Sequence, residues 1–469
     1  TAAAAAAALT AAAACLVAVG LVAPAPPAAL GALPAPLRPH GCTPRRTGHG
    51  ASSVIARANE RLAASPLQET SHRRKRELAG VALQAEGEVE GAPATDLPRV
   101  VFLGSPDCVC VVLKKMWEAS KTGPAPFDLC AVVTQPPKFV SRKKSTVTKT
   151  PIHELAEEVG VRHIWTPATA KDEEFLSDLE GLAPDLCITA AYGQYLPKRF
   201  LRTPRLGTLN LHPSLLPRWR GASPVQRALV AGDTETGITI LYTVTKMDAG
   251  PIAAQRSMTL EGTETSGQML DHLFNWGSDL LVEEVLPKVF SGDMNMEAAQ
   301  TQDEELVTLA PLIAKTDGMM WPHNETAQQM LNKMRGFDGW PGTTLPLAIS
   351  GSAAPPQGFR VKVSEASVGK ASELPEPADG GEERPLKELV FVKGRREQPD
   401  AVAVRSGADP EDVLLIRAFQ LPGKKVVPAR TFYKGYMVTQ PARWIDPEEE
   451  ADLAAESASA PKKKKRGRS

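Results

Sequence analysis

The sequence predicts an α/β fold, a doubly wound and mostly parallel sheet with helices on both faces, followed by a smaller all-β domain. Three observations carry this. From Arg99 onward, continuous apolar runs of strand length alternate with segments of helical period, as strands buried on both faces require. Glycine, serine and proline punctuate the ends of those runs. In the last third of the chain, short strand-like runs crowd together between Pro, Gly and acidic loops, which reads as a small β-barrel or sandwich.

The first run, "RVVFLGSPD" from Arg99, is β-branched and stops at a Gly-Ser-Pro turn that opens a helix. "DLCAVVTQ" (128–135), "HIWTP" (163–167), "LCITAAYG" (186–193) and "TLNLH" (208–212) follow as strands, while "PIHELAEEVG" and "KDEEFLSDLEGL" have helical spacing. "TGITILYTV" and "GPIAAQRSMTL" add two strands, and a long helix is expected over 266–290. After the polar connector "SGDMNMEAAQTQDEE", "NETAQQMLNKMRGF" reads as a helix and "FRVKVSEASV", "ELVFVKG" and "VLLIRAFQ" as strands. The expected divisions are a leader 1–97, a first domain 98–292, a linker 293–310, a second domain 311–445 and a tail 446–469. In that tail an acidic run, "DPEEEADLAAE", and then "PKKKKRGRS" are expected to be disordered. Trp321, Phe337 and the Trp340-Pro341 pair are expected to pack the linker helix against the sheet.

Lysine plus arginine (54) balance aspartate plus glutamate (54) over 469 residues, so any nucleic-acid surface has to be a local patch. The cysteines, at 15, 42, 108, 110, 130 and 187, lack the paired C-x-x-C spacing and are expected to be reduced core thiols. The leader is rich in alanine and proline, has no acidic residue before Glu60, and carries Arg38, Arg45, Arg46, Arg57 and Arg61. That composition predicts an organellar transit peptide, for a mitochondrion or a plastid, over a secretory signal built on "CLVAVGLVA". Prolines interrupt the alanine run and nothing later approaches the ~20 apolar residues of a span, so no membrane partner is expected.

Asn210 and His212 lie two apart, so on a strand they share one face, at the carboxyl end where an open α/β sheet presents ligands. Asp248, in "TKMDAGPI", ends another strand before an Ala-Gly-Pro turn. An amide, an imidazole and a carboxylate suffice for acyl-type transfer: the amide stabilises an oxyanion, the imidazole handles a proton and the carboxylate orients the imidazole. There is no G-x-S-x-G elbow and no cysteine beside a histidine, which favours direct transfer over a covalent enzyme intermediate. One histidine without an i, i+4 partner argues against a metal, and Gly104-Ser105-Pro106-Asp107 lacks the G-x-G-x-x-G of a dinucleotide site.

Taken in order, "RVVFLGSPD", "TPIHELAEEVGV", "AYGQYLP", "LGTLNLHPSLLPRWRGASPVQRALVAGDTETGITI", "MDAGPI", "TETSGQMLDHL" and "MRGFDGWPGT" resemble the methionyl-tRNA formyltransferase family, from about Arg99 to Trp444. The N-x-H-x-S-L-L-P centre is similar to folate-dependent formyltransferases in general, and Arg218 to Ala222 with the second domain resemble the tRNA enzymes in particular. The resemblance implies a Rossmann-like formyltransferase domain, an OB-like second domain, and formyl transfer from 10-formyltetrahydrofolate to the α-amine of initiator methionyl-tRNA. It implies that Asn210, His212 and Asp248 are catalytic and that Ser214, Leu215, Leu216 and Pro217 contact folate. No metal is implied, and a monomer is expected. The competing readings are formyl transfer to a small amine, such as a nucleotide or an amino sugar, and a noncatalytic RNA-binding homologue.

For tRNA, "PPKFVSRKKSTVTKT" holds Lys138, Arg142, Lys143, Lys144 and Lys149 and no acid. Arg142, Lys143 and Lys144 align with the family's basic loop, although its glycines are absent, Ser141 and Ser145 flank the trio, and Pro137 stands where the family has Asp. Arg218 and Arg220 are expected to begin the approach to tRNA. Arg360, Lys362, Lys393, Arg395, Arg396, Lys424, Lys425 and Arg430 are expected to make a phosphate-binding face on the second domain, with "PADGGEERPLKE" an acidic loop turned away from it. The "PKKKKRGRS" end reads as a nuclear-localisation cluster or as nonspecific phosphate affinity, and the leader favours the organelle.

Overall fold

The computed structural model describes residues 97–139, 147–351, 354–377, 384–395, 398–438 and 440–459. Its first sheet joins β1 (Arg99–Gly104), β2 (Asp128–Val133), β5 (His163–Trp165), β6 (Leu186–Ala190), β7 (Thr208–His212), β9 (Glu235–Tyr242) and β10 (Ile252–Thr259) in the order β10-β9-β7-β6-β1-β2-β5. The five strands from β7 to β5 are parallel, and β9 alone runs against its neighbours on both sides. The pair β3 (Lys138–Phe139) and β4 (Val147–Thr148) flanks the basic loop, and β8 (Arg218–Gly221) pairs in parallel with β11 (Thr308–Ala310).

Both faces of this sheet are covered. Val100 and Phe102 of β1 enter one apolar cluster and Val101 and Leu103 the other, all four fully buried. Each such side chain contributes roughly 1.5–3 kcal/mol of burial. The crossover helices are α1 (Cys110–Thr122), α2 (Pro151–Val159), α3 (Glu173–Leu182) and α4 (Lys198–Arg202), with α5 (Pro224–Ala231) after β8. Thr150 caps α2 by accepting from His153 N–H, and Asp172 caps α3 through Glu174 and Phe175. The helix expected over 266–290 is α6 (Ser266–Leu280), a π turn (Leu281–Val285) and α7 (Leu286–Ser291). It lies close on β9 because Gly277 has no side chain; a Cβ there would stand 2.7 Å from Ile238.

The chain reverses its strand order between β1 and β6, and the ends of these two strands are tied together there. Tyr192 O accepts from Ser105 Oγ at 3.5 Å and from Gln135 Nε2 at 3.1 Å, and Ser105 Oγ accepts from Gln135 N–H at 3.2 Å. This is the crevice in which open α/β sheets present ligands.

Helix α8 (Ala327–Gly336) packs against α5, Gly336 admitting Val230 and the Gln226 carbonyl. The second sheet is antiparallel: β14 (Val390–Val392), β15 (Ala401–Arg405), β16 (Asp412–Gln420), β13 (Ala354–Lys370), β12 (Thr343–Gly351) and β18 (Ala442–Trp444), with β17 (Val426–Pro428) on β16. It curls so far that the chain just before β14 reaches β18, Leu389 N–H donating to Ala442 O at 2.9 Å and Trp444 N–H to Lys387 O at 3.0 Å. The result is a curled antiparallel half-barrel consistent with an OB-like domain, filled by Leu345, Leu347, Val361, Phe419, Trp444 and, from α9 (Ala429–Tyr436), Phe432.

Two expectations change. Residues Pro447–Ser459 form a helix, α10, instead of a disordered acidic run. The barrel holds it: Glu450 accepts from Arg360 at 2.6 and 3.0 Å, Glu449 from Lys387 at 2.8 Å and Arg443 at 2.9 Å, and Leu453 packs over Gly358. The aromatic group also divides, because Phe337 is fully buried whereas Trp340 is 61% exposed. Trp340 lies past the end of α8, in a solvent-exposed turn.

Candidate active site

Asn210 and His212 project from β7, and the loop between β9 and β10 folds back over them to bring Asp248 alongside. Asn210 Nδ2 donates to Asp248 Oδ1 at 3.3 Å, and His212 Nδ1 stands 3.7 Å from Asp248 Oδ2. All three expected catalytic residues therefore meet. His212 and Asp248 side chains are 5% and 14% exposed, so their charges are weakly screened by solvent.

The surrounding bonds decide which atom does what. Thr189 Oγ1 of β6 donates to Asn210 Oδ1 at 2.8 Å, which turns the amide nitrogen toward Asp248 and leaves a second N–H for a ligand. His212 Nε2 lies 2.9 Å from Trp219 O. A carbonyl only accepts, so Nε2 carries a hydrogen and Nδ1, with its lone pair, is the ring atom on the Asp248 side. Gly221 N–H donates to Asp248 Oδ2 at 2.9 Å. Only glycine fits at 221, where φ is +133° and a Cβ would stand 2.4 Å from the Ala310 carbonyl.

The turn after β7 is held from below. Thr239 Oγ1, fully buried on β9, donates to Ser214 O at 2.6 Å and accepts from Leu216 N–H at 3.2 Å and Gln255 Nε2 at 2.8 Å. Gln255 Nε2 also donates to Leu216 O at 2.8 Å. Ser214 is 1% exposed with its hydroxyl on Arg218 O, and Leu216 packs on Leu241 and Ile252. Ser214 and Leu216 therefore shape the turn from inside, and the half-buried Leu215 and Pro217 are its outward edge.

Two segments match the formyl transferase family, residues 98–285 its formyl transferase domain and residues 313–437 its C-terminal domain. Methionyl-tRNA formyltransferases of Brucella abortus (strain S19) and Brucella suis biovar 1 (strain 1330) are each 32% identical over 345 residues, which is 73% of this chain and 99% of theirs. The chain belongs to the methionyl-tRNA formyltransferase family. Among solved structures, the sugar 3N-formyl transferase WlaRD is 13% identical with a TM-score of 0.46, over 70% of this chain and 99% of that one.

The described thiols of this formyltransferase are poor nucleophiles. Cys108, Cys110, Cys130 and Cys187 are free, and burial pushes the first three up to about 11 and Cys187 higher still. Among the described residues no group of three His, Cys, Asp or Glu side chains is placed to hold a metal ion, and no helix is long and apolar enough to cross a membrane.

The residues expected to face tRNA fare unevenly. Arg142, Lys143 and Lys144 lie outside the described residues, as does Arg396. Arg218 is exposed on the rim, stacks 4.1 Å over Trp219 and grips Asp233 through Nε at 2.9 Å and NH2 at 2.7 Å. Arg220 is corrected: at 3% exposure it points inward, to Gln302 and Glu304. In the barrel, Arg360 is taken by Glu450 and Arg430 by Asp400, which discounts both as phosphate ligands. Lys362, Lys424 and Lys425 remain exposed, Lys424 Nζ donating to Tyr436 Oη at 3.1 Å.

Sequence reasoning missed Thr189, Thr239, Gln255 and Gln302. A threonine inside a β-branched strand carries no signal beyond strand propensity. The glutamines lie in a strand and a polar connector where such residues are ordinary. The periodicity of β9 and β10 marks which face Thr239 and Gln255 occupy, but not what they meet.

Proposed function

We propose that the chain transfers the formyl group of 10-formyltetrahydrofolate to the α-amine of methionine esterified to initiator tRNA, for translation inside a mitochondrion or plastid. The observation that carries the reading is the convergence of Asn210 and His212 on Asp248, at 3.3 and 3.7 Å, where a strand of the parallel sheet ends. The names of the Brucella relatives support the tRNA substrate. The acid-poor, arginine-bearing leader supports the organelle.

10-Formyltetrahydrofolate supplies the formyl carbon and leaves as tetrahydrofolate, and the turn 213–217 is the edge proposed to receive it. Asn210 Nδ2 donates its unused hydrogen to the formyl oxygen as attack by the neutral amine makes it anionic. Thr189 prevents the amide from presenting its own oxygen instead. His212 Nδ1 takes the proton released by the amine, and Asp248 stabilises the imidazolium so formed. The proton is then returned to the departing folate nitrogen, so amine, formyl carbon and leaving group balance without an enzyme-bound intermediate.

The test is a transfer assay with the full chain, formyl donor and charged initiator tRNA, beside His212→Ala. Formyl-methionyl-tRNA from the unmutated chain and a loss of about 10² to 10³ in rate from the variant are expected. A chain that formylates a nucleotide or amino sugar but not methionyl-tRNA would overturn the substrate. No formylation of any amine would overturn the reaction.

A further inference from the structure

We infer that Gln302 is a positioning residue that sets the backbone of Asp248; the inference rests on the catalytic reading of Asn210, His212 and Asp248 given above. Gln302 lies in the connector between the two matched family segments, outside both. It is 6% exposed. Its Nε2 donates to Asp248 O at 2.8 Å and to Gly250 O at 2.7 Å, spanning the turn that carries the carboxylate. Its Oε1 accepts from Arg220 Nε at 2.9 Å, so every polar atom of the amide is used.

These bonds close a circuit. Arg220 stands between Trp219, whose carbonyl receives His212 Nε2, and Gly221, whose N–H holds the Asp248 carboxylate. Through Gln302 the Arg220 side chain also governs the backbone of Asp248. The same segment therefore sets the imidazole, the carboxylate and the loop between them. Arg220 is fixed in turn by Glu304 at 2.9 Å, two residues beyond Gln302, and Glu304 also binds Lys246 at 2.5 Å, two residues before Asp248.

Asp248 needs such support. Its φ is +48°, in the sparsely populated left-handed region, which aspartate enters more readily than most L residues but which the turn must still hold in place. Freed from Gln302, the loop relaxes and Asp248 shifts against His212. A displacement of about 1 Å at a reacting group can cost on the order of 10²-fold in rate. Catalytic geometry is thus set in part by a connector glutamine that touches no substrate.

The experiment compares Gln302→Ala, Gln302→Met and Asp248→Asn in the full chain, measuring kcat and the KM for formyl donor and for methionyl-tRNA. Methionine keeps the shape of glutamine without its donors. Positioning predicts that both Gln302 variants lose about 10- to 100-fold in kcat, with each KM within about twofold. It also predicts that Gln302→Met slows the Asp248→Asn enzyme no further. Recovery of kcat by Gln302→Met would show that glutamine only fills space and would overturn the inference, as would a rise in KM at constant kcat. If Asp248→Asn is slow while Gln302→Met is not, the inference alone fails. If Asp248→Asn keeps full kcat, the catalytic reading fails and takes the inference with it. Should Gln302→Met not fold, Arg220→Lys, which removes the Nε donor holding the glutamine, is read on the same two axes.

Discussion

Replacing Asn210 by aspartate sets two carboxylates about where Asn210 Nδ2 and Asp248 Oδ1 now stand, 3.3 Å apart. At an effective dielectric near 20 that separation corresponds to about 5 kcal/mol of repulsion, or between three and four pH units of displaced titration. The pair therefore keeps one shared proton into the neutral range and loses it only in mild alkali. Above that point the variant has lost the amide donor and presents a negative charge to the developing oxyanion, so kcat should fall below the about 10²- to 10³-fold loss expected of Asn210→Ala. Below it, the one retained proton serves the formyl oxygen only when it leaves the bridge to Asp248, so the deficit should shrink in part, without closing, as pH drops from about 9 to about 6. The assay is formyl transfer at saturating donor and tRNA across that range, each variant expressed as a ratio to the unmutated enzyme at the same pH. A deficit that is constant with pH, or aspartate working as well as asparagine at pH 8, would refute the donor role of Nδ2.

Thr239→Val strands the Ser214 carbonyl and the Leu216 N–H in a buried turn, and should cost about 2–4 kcal/mol of stability by denaturant titration with a raised KM for the formyl donor. Removing Lys424 and Lys425 together should weaken tRNA binding and lower the slope of log affinity against log salt by about 1 to 2, while leaving the kcat of bound substrate unchanged. Asp446 and Glu449 are held below the usual carboxylate range, Asp446 by the Glu449 backbone N–H and Lys387, and Glu449 by Lys387 and Arg443 despite its partial burial. A depressed folded value means that their contribution is full above the ordinary value and fades as pH falls through the lowered one. Helix α10 should therefore leave the barrel only as pH falls below the ordinary carboxylate range, seen as protease cleavage near Asp446, and Lys387→Ala should move that release to higher pH.

Most of the first sheet was legible in the sequence because strands covered on both faces are apolar without interruption, and β1, β2, β6 and β7 are written that way. Asn210 and His212 stood out for the same reason, as polar residues at period two where an apolar strand ends. The acidic tail misled because composition measures what a segment can bury by itself, whereas α10 is held by Arg360, Lys387 and Arg443 of the barrel. Arg220 and Trp340 misled in opposite directions, a charge taken for surface and a ring taken for core. Each follows its neighbours: Arg220 has Gln302 and Glu304 to receive it, and Trp340 lies beyond the end of α8.

By itself the sequence determined most of the strands and helices of the first domain, which of their faces are apolar, and which amide, imidazole and carboxylate are available for chemistry, since these depend on residue type and local spacing. Tertiary structure alone decided how they meet. Thr189 reaches Asn210 because β6 and β7 pair with those residues opposite one another, and Thr239 supports the turn because antiparallel β9 sets it opposite His212. Gln302 reaches Asp248 across 54 residues of chain. Register and loop closure are properties of the whole packed sheet, and no local pattern encodes the partner of a hydrogen bond whose other half lies on a distant strand.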